Sequence, residues 1–163
     1  MKTIPLSRGK AAIVDDDDYE FLNESRWYVS EFENHCYAVK AGTKRTKIFM
    51  HRVIMGALKD VFIDHINGNG LDNKRCNLRI CTNSQNQQNR HTACGVSKHK
   101  GVHWNKKERR WYSKIKKNGK CYWLGGYKSE IAAAIAYNTA ARELFGEFAY
   151  FNEISQAGEG AGK

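Results

Sequence analysis

Short runs of apolar residues in the first fifty positions predict strands. Lys10–Val14 is apolar, Trp27–Phe32 and Cys36–Val39 are predicted to pair across a polar link, and Ile48–Met50 is predicted as a further strand. Between the first two runs, the Asp15–Asp18 cluster predicts the start of a helix, because carboxylates stabilise the positive end of a helix dipole. These residues therefore predict a strand-rich lead-in.

The pattern from residue 61 to residue 90 predicts a compact strand–strand–helix unit. Phe62–His65 and Leu78–Thr82 are strand-like, and the segment between them contains an Asn-Gly turn. A short polar helix is predicted over Ser84–Arg90, with Asn83 as its N-cap. The spacing places Asp64 and His65 at the end of the first strand.

Residues 101–152 repeat the change from strands to a helix. Strands are predicted at Val102–Trp104, Trp111–Lys116 and Cys121–Leu124, and an Asn-Gly hairpin joins the last two. The Ala-rich run Glu130–Phe145 has high helix propensity. Ser129 and Gly146 are suitable caps at its two ends. The helix face predicted to pack on the sheet consists of Ile131, Ala134, Ile135, Ala141 and Leu144.

These elements predict an α+β fold in two parts. The first domain is predicted over residues 1–90, with a ββα core at about 61–90, and a polar linker is predicted over 91–100. A three-stranded antiparallel sheet with one helix is predicted over 101–153, and residues 154–163 are predicted to be a loose tail.

Positive charge is concentrated in the second part. The 163-residue chain has a formal net charge of +10, and residues 98–128 carry eleven basic side chains against one acidic side chain, Glu108. Six Trp and Tyr residues are interleaved with these Lys and Arg residues, which is typical of a nucleic-acid surface. A solvated basic face is the alternative interpretation.

The sequence predicts neither a signal peptide nor a membrane span, and its cysteine pattern argues against a disulfide framework. Five cysteines are an odd number at scattered spacings, which predicts a reduced, cytoplasmic protein. Four residues could instead be drawn as a zinc site, at a spacing that is not a standard knuckle: Cys76, Cys81, His91 and Cys94.

The polar residues of the ββα segment suit metal-assisted phosphodiester chemistry. Asp64 and Asn86 offer a carboxylate and an amide that can hold one divalent ion. His65 is an imidazole beside them, and Asn77 can support it. A buried core needs none of these groups, and the set therefore indicates a phosphodiesterase.

Residues 5–90 resemble the HNH nuclease family, in the Asn-containing variant of phage and intron-borne homing endonucleases. The resemblance lies in M-H-R-V-I-M-G, D-H-I-N-G, D-N, N-L-R and N-x-x-N, in that order. The second part is similar to AP2/ERF DNA-binding domains, through K-G-V-H-W, R-W-Y-S-K-I-K, W-L-G-G-Y and an Ala-rich helix.

The nuclease resemblance implies a role for each motif residue. Asp64 and Asn86 would hold one Mg²⁺ or Mn²⁺, His65 would be the general base, and Asn77 would hydrogen bond to the His65 ring. Two arginines, Arg52 and Arg79, are predicted to contact phosphates. The role of His51 stays open between packing or phosphate contact and catalysis.

The AP2 resemblance implies that a sheet face binds double-stranded DNA in the major groove. The residues predicted to face DNA are Lys100, His103, Arg110, Trp111, Lys114, Lys116 and Trp123. Trp111 is equally compatible with the core. His103, Lys114 and Cys121 depart from the plant pattern, and the plant target sequence is therefore not transferable.

Together the two resemblances predict a metal-dependent homing-type endonuclease with a C-terminal DNA-binding module. The prediction includes duplex DNA as partner, no membrane or small-molecule cofactor, a monomer or weak dimer, and the cytoplasm of a bacterial or phage-infected cell. A DNA-binding transcriptional regulator with a silent HNH fold is the alternative. Cleavage of RNA is a third hypothesis, which the AP2 resemblance disfavours.

Overall fold

The computed structural model describes residues 1–32, 35–91 and 95–154. The chain divides into two units, Met1–Asn89 and Arg90–Lys163. The first unit combines three small antiparallel sheets with helices, and the described part of the second combines one antiparallel sheet with an α-helix, which confirms the predicted α+β class. Among the described residues, no helix is both long and apolar enough to cross a membrane.

The first unit begins with a hairpin and a three-stranded sheet. The hairpin pairs β1 with β2, and the sheet has the order β3–β4–β5, with all pairs antiparallel. Two helices, α1 and α2, follow β2 and β5. The bounds are β1 Lys2–Pro5, β2 Ala11–Val14, α1 Asp16–Asn23, β3 Tyr28–Phe32, β4 His35–Ala41, β5 Lys47–Phe49 and α2 Met50–Ile54.

One apolar core holds these elements together. Val14, Leu22 and Met50 are almost completely buried in it, and they come from β2, α1 and α2. Ile63 and Leu78 belong to the same cluster, and the ββα segment is therefore anchored on this core. Burial of each such side chain stabilises the fold by roughly 1.5–3 kcal/mol.

The aspartate cluster at the start of α1 serves the fold. Asp18 is 2% exposed and forms a two-point ion pair with Arg75, through the Nε–Oδ2 contact at 2.9 Å and the Nη2–Oδ1 contact at 2.7 Å. The Oδ2 atom of Asp15 accepts the backbone N–H of Arg75 at 2.8 Å. The helix start is thereby tied to the turn that precedes the next strand.

The predicted strand–strand–helix unit is present. β6 (Phe62–His65) pairs antiparallel with β7 (Leu78–Cys81), and the register places Asp64 opposite Arg79. α3 (Asn83–Asn89) follows directly. The bounds of β6 are those predicted from the sequence. Asn83, predicted as the N-cap, lies inside the helix.

The second unit is a three-stranded antiparallel sheet covered on one face by a helix. The strands are β8 (Val102–Asn105), β9 (Arg110–Lys117) and β10 (Lys120–Tyr127), in the order β10–β9–β8. α4 (Glu130–Phe145) has the predicted bounds and ends at Gly146, whose φ of 55° lies in the left-handed region that favours glycine.

The face of α4 that packs on the sheet agrees with the prediction at Ala134, Ala141 and Leu144 and differs from it at the two isoleucines. The buried residues are Ala133, Ala134, Tyr137, Ala141 and Phe145. Ile131 and Ile135 are 36% and 50% exposed. The prediction gave too much weight to large apolar side chains. Alanines permit a closer approach of the helix to the sheet, and the aromatic rings fill the remaining space.

The predicted linker 91–100 is packed in its second half. Ser97 and His99 are 2% and 7% exposed. The Ser97 hydroxyl donates to Glu130 at 2.7 Å, and the backbone N–H of Lys100 donates to the side-chain oxygen of Asn152 at 2.7 Å. These contacts make residues 97–100 part of the second unit. Most of the predicted tail, from residue 155 onward, lies outside the described residues.

Candidate functional site

The carboxylate of Asp64 accepts hydrogen bonds from two neighbouring side chains, Arg79 and Asn89. Asp64 is 6% exposed at the end of β6. Its Oδ2 atom accepts hydrogen bonds from Arg79 Nε at 2.9 Å, Arg79 Nη2 at 2.7 Å and Asn89 Nδ2 at 3.0 Å. Its Oδ1 atom accepts from Asn89 Nδ2 at 3.1 Å. Three of these hydrogen bonds therefore fall on Oδ2 and one on Oδ1.

Asn89 connects α3 to the end of β6 through side-chain hydrogen bonds. In addition to the Asp64 carboxylate, its Nδ2 group donates to the backbone carbonyls of His65 at 2.9 Å and Ile66 at 3.3 Å. Every acceptor around this nitrogen is an oxygen, which fixes the amide with its nitrogen toward Asp64. Asn86 lies three residues earlier, and therefore on the same face of the helix as Asn89.

His65 is buried next to Asp64. Its ring is 5% exposed, and its Nε2 atom lies 3.3 Å from Asn73 Oδ1. Because an amide oxygen only accepts, Nε2 carries the proton and Nδ1 is left as the basic nitrogen. Burial lowers the pKa of His65, against smaller opposing effects from the Asn73 hydrogen bond and the carboxylates of Asp64 and Asp72. The ring is therefore neutral at neutral pH.

The predicted contact between Asn77 and the His65 ring is replaced by one from Asn73. The Asn77 side chain forms two hydrogen bonds of 3.0 Å with Asn67. Its Oδ1 atom accepts the backbone N–H of Asn67, and its Nδ2 group donates to the side-chain oxygen of Asn67. Its Nδ2 group also donates to the Asp72 carbonyl at 2.7 Å. Asn77 thus closes the loop between β6 and β7. The prediction paired Asn77 with the His65 ring because sequence spacing alone does not show how the loop between β6 and β7 folds.

The loop itself is built from Asn and Asp side chains. The side-chain oxygens of Asn67 and Asn69 accept backbone N–H groups two residues further on, at 2.9 Å and 3.0 Å, as in Asx turns. Asp72 is 7% exposed, and its Oδ1 atom has no hydrogen-bond partner among the described residues. Gly70 passes close to Tyr37, and a Cβ atom there would lie 2.6 Å from Cδ1 of that ring.

Two aromatic rings from outside the ββα unit enclose His65. The ring centroid of His51 lies 4.9 Å away in an edge-to-face arrangement, and that of Tyr37 lies 6.0 Å away. Burial, with smaller contributions from the nearby His65 and Arg52, lowers the pKa of His51 to about 3. His51 is therefore a neutral packing partner of His65, which favours the packing alternative for this residue.

The residues of the site fit a divalent ion by the chemistry of their donor atoms. The described residues include no group of three or more His, Cys, Asp or Glu side chains that could hold a metal. The predicted pair is of another type, one carboxylate and one amide, and hard oxygen donors of this kind suit Mg²⁺ or Mn²⁺. The zinc alternative gains no support: Cys76 is exposed, Cys81 is buried, and Cys94 lies outside the described residues.

Both arginines predicted to contact phosphates are bound to internal acceptors. The Arg52 guanidinium donates to four backbone carbonyls of one loop, including Val61 at 2.6 Å and Lys59 at 3.3 Å. Arg79 is bound to Asp64, and its side chain is 11% exposed. The prediction rested on charge and motif position. The sequence alone does not show that the Arg52 guanidinium hydrogen bonds to backbone carbonyls or that the Arg79 guanidinium hydrogen bonds to the buried Asp64 carboxylate.

The open face of the second sheet, opposite α4, carries basic and aromatic side chains. On β9, Ser113 and Ile115 are buried toward the helix, and the alternating residues between and beside them project to the other face. Lys114 is opposite Trp123 in the register, and its Nζ atom lies 5.7 Å from the Trp123 ring centroid. We refer to this side of the sheet as the open face. It carries five of the residues predicted to contact DNA: His103, Arg110, Lys114, Lys116 and Trp123.

The aromatic residues of the open face contact one another. The His103 ring centroid lies 5.9 Å from that of Tyr112 and 5.7 Å from that of Trp123, which is 65% exposed. Burial, and to a smaller extent the Lys114 charge, lowers the pKa of His103. The face thus offers a large exposed ring supported by two others, between lysine side chains.

Trp111 and Lys100 are not on the open face. Trp111 is partly buried on the helix side, against the cluster of Val102, Ala133 and Ala134, which favours its core alternative. The Lys100 ammonium donates to the carbonyl of Arg90 at 2.7 Å, and burial lowers its pKa to about 8. Lys100 precedes β8 at the glycine turn, where the alternation of the strand does not extend.

Comparison with known proteins identifies the family. An uncharacterized HNH endonuclease of Acanthamoeba polyphaga mimivirus, L560, is 33% identical over 153 residues, which cover 91% of this chain and 79% of the relative. Protein 3.8 of Escherichia phage T7 is 34% identical over 94 residues, which cover 57% of this chain and 77% of that protein. No protein-family model and no solved structure matches the chain. The first similarity extends over nearly the whole sequence, and this chain belongs to the HNH endonuclease family.

Proposed function

We propose that this protein is a metal-dependent DNA endonuclease of the homing type. Asp64 and Asn86 hold one Mg²⁺ or Mn²⁺, and His65 is the general base. The observation that carries the proposal is the convergence of a buried carboxylate, a neutral imidazole and the asparagine face of α3 within the ββα unit.

Asp64 and Asn86 would hold the ion, which would supply charge stabilisation to the leaving 3′ oxygen of the scissile phosphodiester. On the protein side, His65 accepts a proton from water at Nδ1, because Nε2 is engaged by Asn73. Asn77 is a positioning residue that holds the loop carrying Asn73 against β6. Asn89 holds α3 in place, and thereby determines where Asn86 is presented.

The open face of the second unit is proposed as the duplex DNA-binding surface, in the manner of an AP2 domain. Its lysine and arginine side chains contact the phosphate backbone, and Trp123 contacts the sugar-phosphate edge. Binding of this kind weakens steeply as the salt concentration rises, because phosphate contacts release counterions. We further propose that the protein acts in the cytoplasm of a bacterial or phage-infected host cell.

The test is incubation of supercoiled plasmid with Mg²⁺ or Mn²⁺, with and without EDTA. Nicked or linear product is expected with either ion and is expected to disappear with EDTA. His65→Ala and Asp64→Asn should each abolish product, while duplex affinity measured in EDTA stays within a few-fold of the unaltered protein. His91→Ala is the matched control, since His91 is exposed and belongs to the second unit.

The result decides between two functions. Absence of product with every divalent ion, together with intact duplex binding, would favour a DNA-binding regulator with a silent nuclease fold. Cleavage that survives Asp64→Asn would refute the proposed metal site. Equal losses of cleavage and duplex binding in His65→Ala would refute the role of His65 as the base.

A further inference from the structure

We propose that Arg79 is a resident counter-cation of the metal site, which shares the Asp64 carboxylate with the ion and keeps metal affinity low until DNA is bound. This inference rests on the proposed function. It assigns Arg79 a role as a positioning residue that differs from the phosphate contact predicted from the sequence.

The geometry separates the two carboxylate oxygens. The Nε and Nη2 atoms of Arg79 donate to Oδ2 of Asp64, at 2.9 Å and 2.7 Å, and the two residues are opposite each other in the register of β6 and β7. Oδ1 receives the Asn89 amide, at 3.1 Å. The guanidinium therefore occupies Oδ2, and the proposal places the ion on Oδ1, where the Asn89 amide is the neighbouring donor.

The electrostatic consequence follows from burial. The side chains of Arg79 and Asp64 are 11% and 7% exposed, and water screens their charges weakly. The Arg79 guanidinium already neutralises the Asp64 carboxylate. A divalent ion on the other oxygen of that carboxylate would be repelled by the guanidinium. The same fork also fixes the direction of the carboxylate, an outer contact whose loss typically costs metal sites about 10–100-fold in affinity. The two effects have opposite signs, and the proposal requires that the repulsion from a doubly charged ion be the larger of the two.

DNA changes this balance. A phosphate at the site brings negative charge next to Arg79 and the ion, which relieves the repulsion between the two cations. Metal affinity should then rise when duplex binds, and by linkage DNA affinity should rise by the same factor when metal binds. Such coupling would keep the free protein poorly loaded with metal.

The first measurement is the Mn²⁺ affinity of the DNA-free chain, read from the electron paramagnetic resonance signal of unbound Mn²⁺. Arg79→Gln, which removes the charge, should bind Mn²⁺ about tenfold more tightly or better. Arg79→Lys, which keeps the charge and loses the fork, should bind no more tightly than the unaltered protein. Arg75→Gln is the matched control, because it breaks another two-point Arg–Asp pair in the same unit.

The second measurement repeats the titration with a duplex, in the His65→Ala background so that the DNA stays intact. Duplex should raise the Mn²⁺ affinity of the protein with Arg79 by a larger factor than that of Arg79→Gln. Equal factors, or Mn²⁺ binding by Arg79→Gln as weak as in the unaltered protein, would overturn the proposal.

A third measurement uses the chain with Arg79 in place and is therefore independent of whether the variants fold. The Nε–H proton of Arg79 should stay protected from solvent exchange when Mg²⁺ is added, because the guanidinium remains on Oδ2. Loss of protection would show displacement and overturn the shared arrangement. The Asp64→Asn variant distinguishes failure of the metal site from failure of the Arg79 role. If this variant binds Mn²⁺ as tightly as the unaltered protein, the proposed metal site itself is wrong.

Discussion

Acidification should destabilise the first unit through His51. The ring is 8% exposed between the rings of Phe49 and His65, and burial lowers its pKa to about 3. An unfolded histidine takes up a proton near pH 6.5. Between these two values the unfolded state binds more protons than the folded state. The stabilisation is therefore fully present above pH 6.5 and is lost as the pH falls toward 3.

The size of the effect follows from the two pKa values of His51. Between pH 7 and pH 5, protonation of His51 in the unfolded state alone costs about 2 kcal/mol of the free energy of unfolding. A domain of 60–100 residues loses roughly 4–8 °C in Tm for each kcal/mol. The first unit, Met1–Asn89, should therefore lose roughly 8–16 °C through this residue.

The assay is scanning calorimetry of the full chain at pH 7 and pH 5. His51→Phe keeps an aromatic ring in the cluster and removes the ionisable group, and its Tm should fall less between the two pH values. His35→Phe is the control, because His35 is half-buried and belongs to the same ring cluster. If His51→Phe shows the same loss of Tm as the unaltered protein, the neutral buried state of His51 is refuted.

Three further predictions concern DNA binding and the loop beside His65. Trp123→Ala should weaken duplex binding about tenfold or more in fluorescence anisotropy, because the exposed ring loses its contact with DNA; unchanged affinity would remove this residue from the interface. Lys114→Gln should lower the slope of log affinity against log salt by about 1, and an identical slope would mean that Lys114 contacts no phosphate. Gly70→Ala should destabilise the first unit by about 1–3 kcal/mol in denaturant titrations, since its Cβ would meet the backbone carbonyl oxygen of Cys36 and the ring of Tyr37; an unshifted midpoint would contradict this close approach.

The elements predicted with correct bounds are those with strong local signals. β6 and α4 have an apolar run or an Ala-rich run between clear turn or capping residues. β1 and α2 were not predicted. β1 has four residues and owes its existence to pairing with β2, and α2 is a five-residue helix that begins immediately after β5. Short elements of this kind depend on contacts distant in the sequence.

The residues of the site were predictable in their spacing but less so in their contacts. The motif positions placed Asp64 and His65 together at the end of β6. The partner of the His65 ring depends on the fold of the loop, which brings Asn73 to the ring and turns Asn77 away. The N-x-x-N spacing in α3 was the one available signal for Asn89, since it places Asn86 and Asn89 on one helix face.

The boundary between the two units has a consequence for engineering. Asn89, which holds the Asp64 carboxylate, is the last residue of the first unit and is joined by one peptide bond to Arg90, the first residue of the second. A fusion that exchanges the second unit for a different targeting module can therefore keep every side chain described around Asp64. The junction must nevertheless preserve the final helical turn, because fraying at that point would release the clamp on the carboxylate.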